Sequence, residues 1–205
     1  MIREFLSAGC GTALFLIPAV AAARISVTSV RVEKLSSSAG PVLRRAEVGL
    51  NRVIRVRNVE FLQMGGISFL RMPVYRDKDG KPHAQIRVLD QGLYEEMLQA
   101  VFTGKRAPTE TVAKDIPFKV GRVQILESSF RVANVEVVLD DSLTVVFGML
   151  KDEKTGRFRI SYPVEKLKNG RYSEQVIIKD GDLKNRIEKE VMAEFAKVYK
   201  RDGAG

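Results

Sequence analysis

The chain has 205 residues, of which 45% are hydrophobic and 29% charged, a balance typical of globular proteins with one large domain or two small ones. Its one histidine (His83) and one cysteine (Cys10) exclude a histidine-rich or cysteine-based metal site and an intramolecular disulfide. The formal net charge of +9 favours an anionic partner such as nucleic acid, an acidic polymer or a membrane surface, although a basic protein without such a partner has the same composition.

Residues 1–23 have the pattern of an export signal. Arg3 lies near the start, residues 6–22 carry no charge, and the segment ends in Ala21-Ala22-Ala23, where signal peptidase accepts small residues. The alternatives are an uncleaved membrane anchor, for which the uncharged run is short, and a start site assigned too early. We therefore expect a periplasmic or secreted protein if the signal is real, and a cytoplasmic protein otherwise.

Two similar hexapeptides indicate an internal duplication. RVRNVE occupies residues 55–60 and RVANVE occupies residues 131–136, so that five of six residues agree at a separation of 76. The segments around them are rich in β-branched residues and bounded by Gly, Asn, Asp or Ser, which is typical of strands joined by short antiparallel turns. The predicted strands are 46–50, 55–62, 67–72 and 84–89 in the first copy, and 120–126, 131–139, 143–149 and 158–162 in the second.

Each predicted meander leads to an amphipathic helix. The apolar stripes that predict the helices are Leu93, Met97, Leu98 and Val101 in the first copy and Leu183, Ile187, Val191, Phe195 and Val198 in the second. Asp90 and Asp182 are the expected N-caps. An additional strand is expected within residues 169–181, with no counterpart in the first copy.

The predicted fold is therefore α+β, with two tandem repeats that each form an antiparallel meander followed by a C-terminal helix. The first repeat spans residues 24–103 and the second spans residues 118–201. Residues 104–117 contain Gly104, Pro108 and Pro117 and form the expected linker. Two such repeats can pair within one chain as a pseudo-dimer.

The first repeat resembles the SpoVG family of small bacterial regulators. The resemblance is carried by VTSVR at residues 27–31, by GGISFLRMP at residues 65–73 and by the charged hairpin RDKDGK at residues 76–81. It covers about residues 25–102 well, and residues 118–200 more weakly, since Leu150 follows Met149 where the family has proline. The resemblance implies a small α+β fold, self-association within the chain or as a homodimer, sequence-tolerant DNA or RNA binding, and a link to septation and sporulation.

The basic residues of the hairpins are the predicted nucleic-acid surface. Clustered cations neutralise phosphates and give an affinity that falls with salt, although a solvated charged turn has the same pattern. The predicted binding residues are Arg55, Arg57, Arg71, Arg76, Lys78 and Lys81 in the first copy, and Lys151, Lys154 and Arg157 in the second. Tyr75 is the aromatic residue expected to be exposed, whereas Phe69 and Phe147 are expected in the core.

The polar residues that recur in both hexapeptides are expected to have structural roles. Asn58 and Asn134 interrupt apolar strands and predict a bulge or a satisfied side-chain bond, and Glu60 and Glu136 predict salt bridges. No catalytic pair, phosphate loop or metal site is recognisable, so we predict a non-enzymatic protein without cofactor or evident small-molecule substrate. The leading hypothesis is a SpoVG-like nucleic-acid-binding regulator. The alternative is an exported envelope protein that uses the fold to bind a protein or polymer.

Overall fold

The computed structural model describes residues 25–34, 41–76, 81–106, 115–128, 130–167 and 169–202. The expected export signal and most of the expected linker lie outside these residues. The elements up to the first helix are β1 (Val27–Lys34), β2 (Val42–Leu50), β3 (Ile54–Met64), β4 (Ile67–Arg71), β5 (Val74–Arg76), β6 (Pro82–Ala84), β7 (Ile86–Val88) and α1 (Gln91–Thr103). They are followed by β8 (Phe118–Ile125), β9 (Arg131–Leu139), β10 (Leu143–Lys151), β11 (Phe158–Ser161), β12 (Val164–Lys166), β13 (Tyr172–Glu174), β14 (Val176–Ile178) and α2 (Gly181–Asp202).

The fold is α+β, as predicted, with mostly antiparallel sheets and two helices. The first five-stranded sheet has the order β1-β2-β3-β14, and β4 shares the outer edge of β3 with β14. The second has the order β11-β10-β9-β8, and β7 shares the outer edge of β10 with β11. The pairs β5–β6 and β12–β13 form two separate hairpins.

Two short strands cross from one sheet to the other. β14 pairs antiparallel with β3, placing Ile178 opposite Ile54, while β7 pairs antiparallel with β10, placing Val88 opposite Leu143. Backbone bonds extend both junctions: Arg57 N donates to Gln175 O at 2.8 Å, and Val146 N donates to Gln85 O at 2.9 Å. Each sheet is therefore completed by a strand that is distant in sequence.

The same kind of tight turn precedes β3 in the first sheet and β10 in the second. Asn51 and Arg52 have φ angles of 45° and 61°, and Asp140 and Asp141 have φ angles of 47° and 48°. Two consecutive left-handed residues define a type I′ hairpin turn, whose twist matches that of the flanking strands. These turns join β2 to β3 and β9 to β10. The first hexapeptide lies in β3, after its turn, whereas the second lies in β9, before its turn, so the two strands are not equivalent. The correspondence at a separation of 76 is therefore wrong.

One continuous core of buried apolar side chains contains residues of both sheets and both helices. Leu93, Met97 and Val101 are buried on α1, as their spacing predicts, while Leu98 is half-buried. Asp90 caps α1 by accepting from Leu93 N at 2.6 Å. The cap of α2 is Asp180, which accepts from Leu183 N at 2.8 Å. The predicted cap Asp182 is wrong, because it lies inside the first turn of the helix.

The segment before α2 is not an unmatched insertion. It forms β13 and β14, as the segment before α1 forms β6 and β7. The predicted strand over residues 84–89 is likewise divided between β6, which belongs to a hairpin, and β7, which crosses to the second sheet. Strands of three residues produce too little alternation for sequence periodicity to separate them.

Candidate functional site

The hairpins β5–β6 and β12–β13 flank a groove at the edge of the first sheet. The groove encloses a cavity of about 600 Å³, which falls within the size range of small-ligand sites. It is lined by Arg45, Asn58, Glu60, Arg71, Met72, Pro73, Val74, Tyr75, Val164, Glu165, Lys166, Tyr172 and Gln175. Both halves of the chain therefore contribute to one site.

A row of ion pairs across three neighbouring strands forms the side of the groove that is made by the sheet. Glu60 on β3 lies between Arg45 on β2 and Arg71 on β4 in the strand register. Its carboxylate accepts from Arg45 at 3.0 Å and from Arg71 at 2.5 and 2.7 Å. Because one carboxylate holds both guanidinium groups, Arg71 is only partly available to an anionic ligand.

Asn58 produces a bulge that brings β3 toward the second hairpin. Its φ angle is 55°, and the register shift places Arg57 and Asn58 together opposite Glu47. The Asn58 Nδ2 donates to the Glu165 carboxylate at 2.6 Å. Both predicted roles of Asn58, the bulge and the satisfied side-chain bond, are confirmed.

Asn134 has the bond without the bulge. It pairs in regular register with Gly148, and its Oδ1 accepts from Arg131 Nε at 2.8 Å. The two asparagines are therefore similar in sequence context but differ in backbone geometry.

The bulge makes Asn58 a sensitive position for stability. We expect Asn58→Val to lower the free energy of unfolding by about 2–3 kcal/mol, because a β-branched residue is strained at positive φ and the bond to Glu165 is lost. Asn58→Gly removes the same bond but tolerates the backbone angle, and its cost should stay below about 1 kcal/mol. Urea denaturation measures both. Equal losses in the two variants would show that the left-handed backbone is not the source.

Two tyrosines are exposed at the groove, one on each hairpin. Tyr75 is 41% exposed and Tyr172 is 67% exposed. The Arg131 guanidinium lies 5.8 Å from the Tyr75 ring centroid, and burial lowers the pKa of Arg131 from its ordinary value. The predicted exposure of Tyr75 is confirmed. The sequence does not predict Tyr172 as a site residue, because its segment has no counterpart in the predicted first copy.

The predicted basic residues that the structure describes do not form one surface. Arg55 and Arg57 both pair with Glu47, at 3.0 and 2.9 Å, and neither lines the groove. Lys151 ends β10, while Lys154 and Arg157 lie in the turn between β10 and β11. Of the predicted residues whose side chains the structure describes, only Arg71 lines the groove.

The remaining predicted residues belong to the first hairpin. Lys81 immediately precedes β6 and is exposed. The backbone of Arg76 lies in β5, but its side chain and all of Lys78 fall outside the described residues. The prediction that Glu60 and Glu136 each form salt bridges is confirmed. Glu136 pairs with Arg87 at 2.8 Å.

Sequence reasoning missed the second hairpin as part of the site. Glu165, Lys166 and Gln175 line the groove, yet no short motif marks them. The available indication is the recurrence of Pro-Val and Gln at a separation of 90, as Pro73-Val74 and Gln85 against Pro163-Val164 and Gln175.

Among the described residues, no group of three His, Cys, Asp or Glu side chains is arranged to hold a metal ion. Neither helix of the described chain is long and apolar enough to cross a membrane. No protein-family model, curated protein or solved structure matches the chain.

Proposed function

We propose that the chain is a non-enzymatic, SpoVG-like regulatory protein that binds single-stranded nucleic acid in the groove between its two hairpins. The observation that carries the proposal is the exposure of Tyr75 and Tyr172 at opposite hairpins beside basic side chains of one groove. Bases stack on aromatic rings with about 1–3 kcal/mol each, and a basic groove attracts the backbone. The SpoVG resemblance and the net charge of +9 support the same class of ligand.

The second hairpin supplies two exposed cations suited to phosphate. Lys166 and Arg171 are exposed and enter no ion pair with the described residues. In contrast, Arg55 and Arg57 share Glu47, and a phosphate would have to compete with that carboxylate. The proposed surface therefore lies on the hairpins rather than on the open face of the first sheet.

We also propose that the two halves are tandem SpoVG-like repeats that pair as an intrachain pseudo-dimer. Seven of 21 residues agree between residues 73–93 and 163–183 at a separation of 90. The exchanged strands are β14 and β7, which cross from one sheet to the other. Their registers match, since Val56 faces Val176 and Val145 faces Ile86. In this alignment Tyr162-Pro163 corresponds to Met72-Pro73, so the second copy keeps the proline of the family motif.

The pseudo-dimer predicts that one chain is the complete binding unit. Each exchanged strand already occupies the sheet edge that a second chain would need, so a domain-swapped homodimer gains no further strand pairs. Sedimentation should therefore give the mass of a single chain. A stable dimer of full chains would contradict the proposed intrachain pairing.

Removing the hairpin cations tests the binding surface. We expect Lys166→Gln together with Arg171→Gln to weaken binding to a single-stranded oligonucleotide about tenfold and to reduce the slope of log affinity against log salt by about 1. The matched control is Lys189→Gln with Lys200→Gln, which removes the same charge from exposed positions of α2. Fluorescence anisotropy over a salt series measures both quantities. The proposal fails if the control weakens binding equally, or if the wild type does not bind at low salt.

The alternative function is an exported envelope or periplasmic protein that binds a protein or polymer. The uncharged run at residues 6–22 favours it, because an exported protein would not meet the chromosome. The N-terminus of the protein isolated from its own cells separates the two. A mature chain that begins at Arg24 supports export, whereas retention of Met1 in a soluble fraction supports the nucleic-acid-binding regulator.

A further inference from the structure

We infer that the groove contains a base-recognition pocket in which Glu165 reads the donor edge of one unpaired guanine. The inference rests on the proposed nucleic-acid function and assigns a ligand chemistry to its site. Three observations carry it: the hydrogen-bond state of Glu165, the charge of the groove, and the different residues at the equivalent positions of the second sheet.

Glu165 presents a carboxylate without a cation. Its Oε2 accepts from Asn58 Nδ2 at 2.6 Å and from Gln175 Nε2 at 3.4 Å, and no described residue forms an ion pair with it. A carboxylate offers about four acceptor positions, so these two amides fix its orientation and leave acceptor capacity facing the groove. Gln175 is buried, and its Oε1 has no hydrogen-bond partner among the described residues.

An acceptor of this kind selects a base edge with adjacent donors. The Watson–Crick edge of guanine presents N1–H and the N2 amino group side by side, whereas adenine and cytosine each present one amino group next to an acceptor. Unpaired bases are read on this edge while stacked on aromatic side chains. Tyr75 and Tyr172 lie at the same groove as Glu165 and are the rings available for stacking.

The charge of the groove disfavours a free cationic ligand. Glu60 is held by Arg45 and Arg71, and Lys166 lies on the same hairpin as Glu165. Among the described lining residues, three basic side chains therefore surround two acidic ones. A lysine or arginine side chain of a partner would meet a positive surrounding, whereas the phosphate that accompanies a nucleotide base would be attracted.

The equivalent positions of the second sheet lack this chemistry. Where the first sheet has the row Arg45, Glu60 and Arg71, the second has Asn134, Gly148 and Ser161 in the same register. The space over Gly148 is filled by Arg131, whose Cζ would lie 2.8 Å from a Cβ at this glycine. When residues 73–93 are aligned with residues 163–183, Tyr75 corresponds to Glu165. Among the described residues we therefore identify one such pocket, and we expect one guanine per chain.

The test compares oligothymidines of about twelve nucleotides that carry one central guanine, hypoxanthine or adenine. The wild type should bind the guanine oligonucleotide about tenfold more tightly than the adenine one, and hypoxanthine should lose most of this preference because it lacks the N2 amino group. In Glu165→Gln the preference should fall below about twofold. Glu174→Gln removes the same charge from the same hairpin outside the groove lining and should keep it.

The outcomes distinguish this inference from the proposed function. Equal binding of the three oligonucleotides by the wild type overturns guanine recognition and leaves nucleic-acid binding intact. Failure of all three to bind at about 50 mM salt overturns the proposed function itself. Glu165-dependent binding of an arginine-rich peptide, without any guanine preference, overturns the inference in favour of a protein ligand.

Discussion

Val176→Asp is expected to lower the free energy of unfolding of the whole chain by about 4 kcal/mol. Val176 is 1% exposed and faces Val56 across the junction of β14 and β3. A carboxylate at this position would lose its hydration without gaining a partner, which is among the most costly single substitutions in a core. Although Val176 belongs to the second half of the sequence, its side chain contributes to the core beneath the first sheet.

Ile177→Asp is the matched control for this prediction. Ile177 lies in the same three-residue strand but is half-buried and faces Arg55 in the register. The same chemical change should therefore cost less than about 1 kcal/mol, since the new carboxylate remains hydrated and lies near a guanidinium group.

Hydrogen exchange shows whether the two sheets unfold together. If the exchanged strands couple the sheets, Val176→Asp should reduce the protection of amides in β3 and β10 by similar factors. Loss of protection in β3 alone, with β10 unchanged, would contradict a single cooperative core. A cost of Val176→Asp no larger than that of Ile177→Asp would contradict the burial argument.

The strand and helix content could be predicted from the sequence because it depends on local patterns. The long strands β3, β9 and β10 have enough β-branched residues to be recognised. The stripe Leu93, Met97 and Val101 identifies the inward face of α1. These features require only residues that are close in sequence.

The exchange of strands could not be predicted in this way. β7 and β14 have three residues each, so their partners are set by long-range packing rather than by propensity. The hexapeptide match predicts the wrong correspondence, because RVRNVE contains the bulge at Asn58 whereas RVANVE lies in a strand of regular pairing at Asn134. The same residue types therefore have different backbone conformations in the two hexapeptides.

The candidate site was only partly predictable for an electrostatic reason. Sequence shows that Arg55, Arg57 and Arg71 are close along the chain, but it does not show that Glu47 and Glu60 lie across the strands from them. Cross-strand ion pairs halve the net charge of this basic cluster, because Glu47 and Glu60 each pair with two arginines. Lys166 and Arg171 on the second hairpin are exposed and enter no ion pair with the described residues, but sequence analysis had not identified the two hairpins as a pair.

Phe195→Ala is expected to cost about 4 kcal/mol of stability without changing the affinity for an oligonucleotide. Phe195 is 1% exposed on α2, and its ring centroid lies 5.0 Å from that of Phe158 and 5.1 Å from that of Tyr199. Truncation removes these contacts and leaves a cavity between the helix and the second sheet, for which losses of about 3–5 kcal/mol are typical. Phe130→Ala provides the control, because Phe130 is 52% exposed and its truncation should cost less than about 1 kcal/mol.

Stability at α2 and binding at the groove should change independently. Phe195 does not line the groove, so a Phe195→Ala protein that remains folded below its melting temperature should bind the guanine oligonucleotide with an affinity within about twofold of wild type. Urea denaturation measures the stability and anisotropy measures the binding on the same preparation. A large loss of affinity in folded Phe195→Ala would show that the ligand contacts α2, and the binding surface would then have to be moved from the hairpins to the helix.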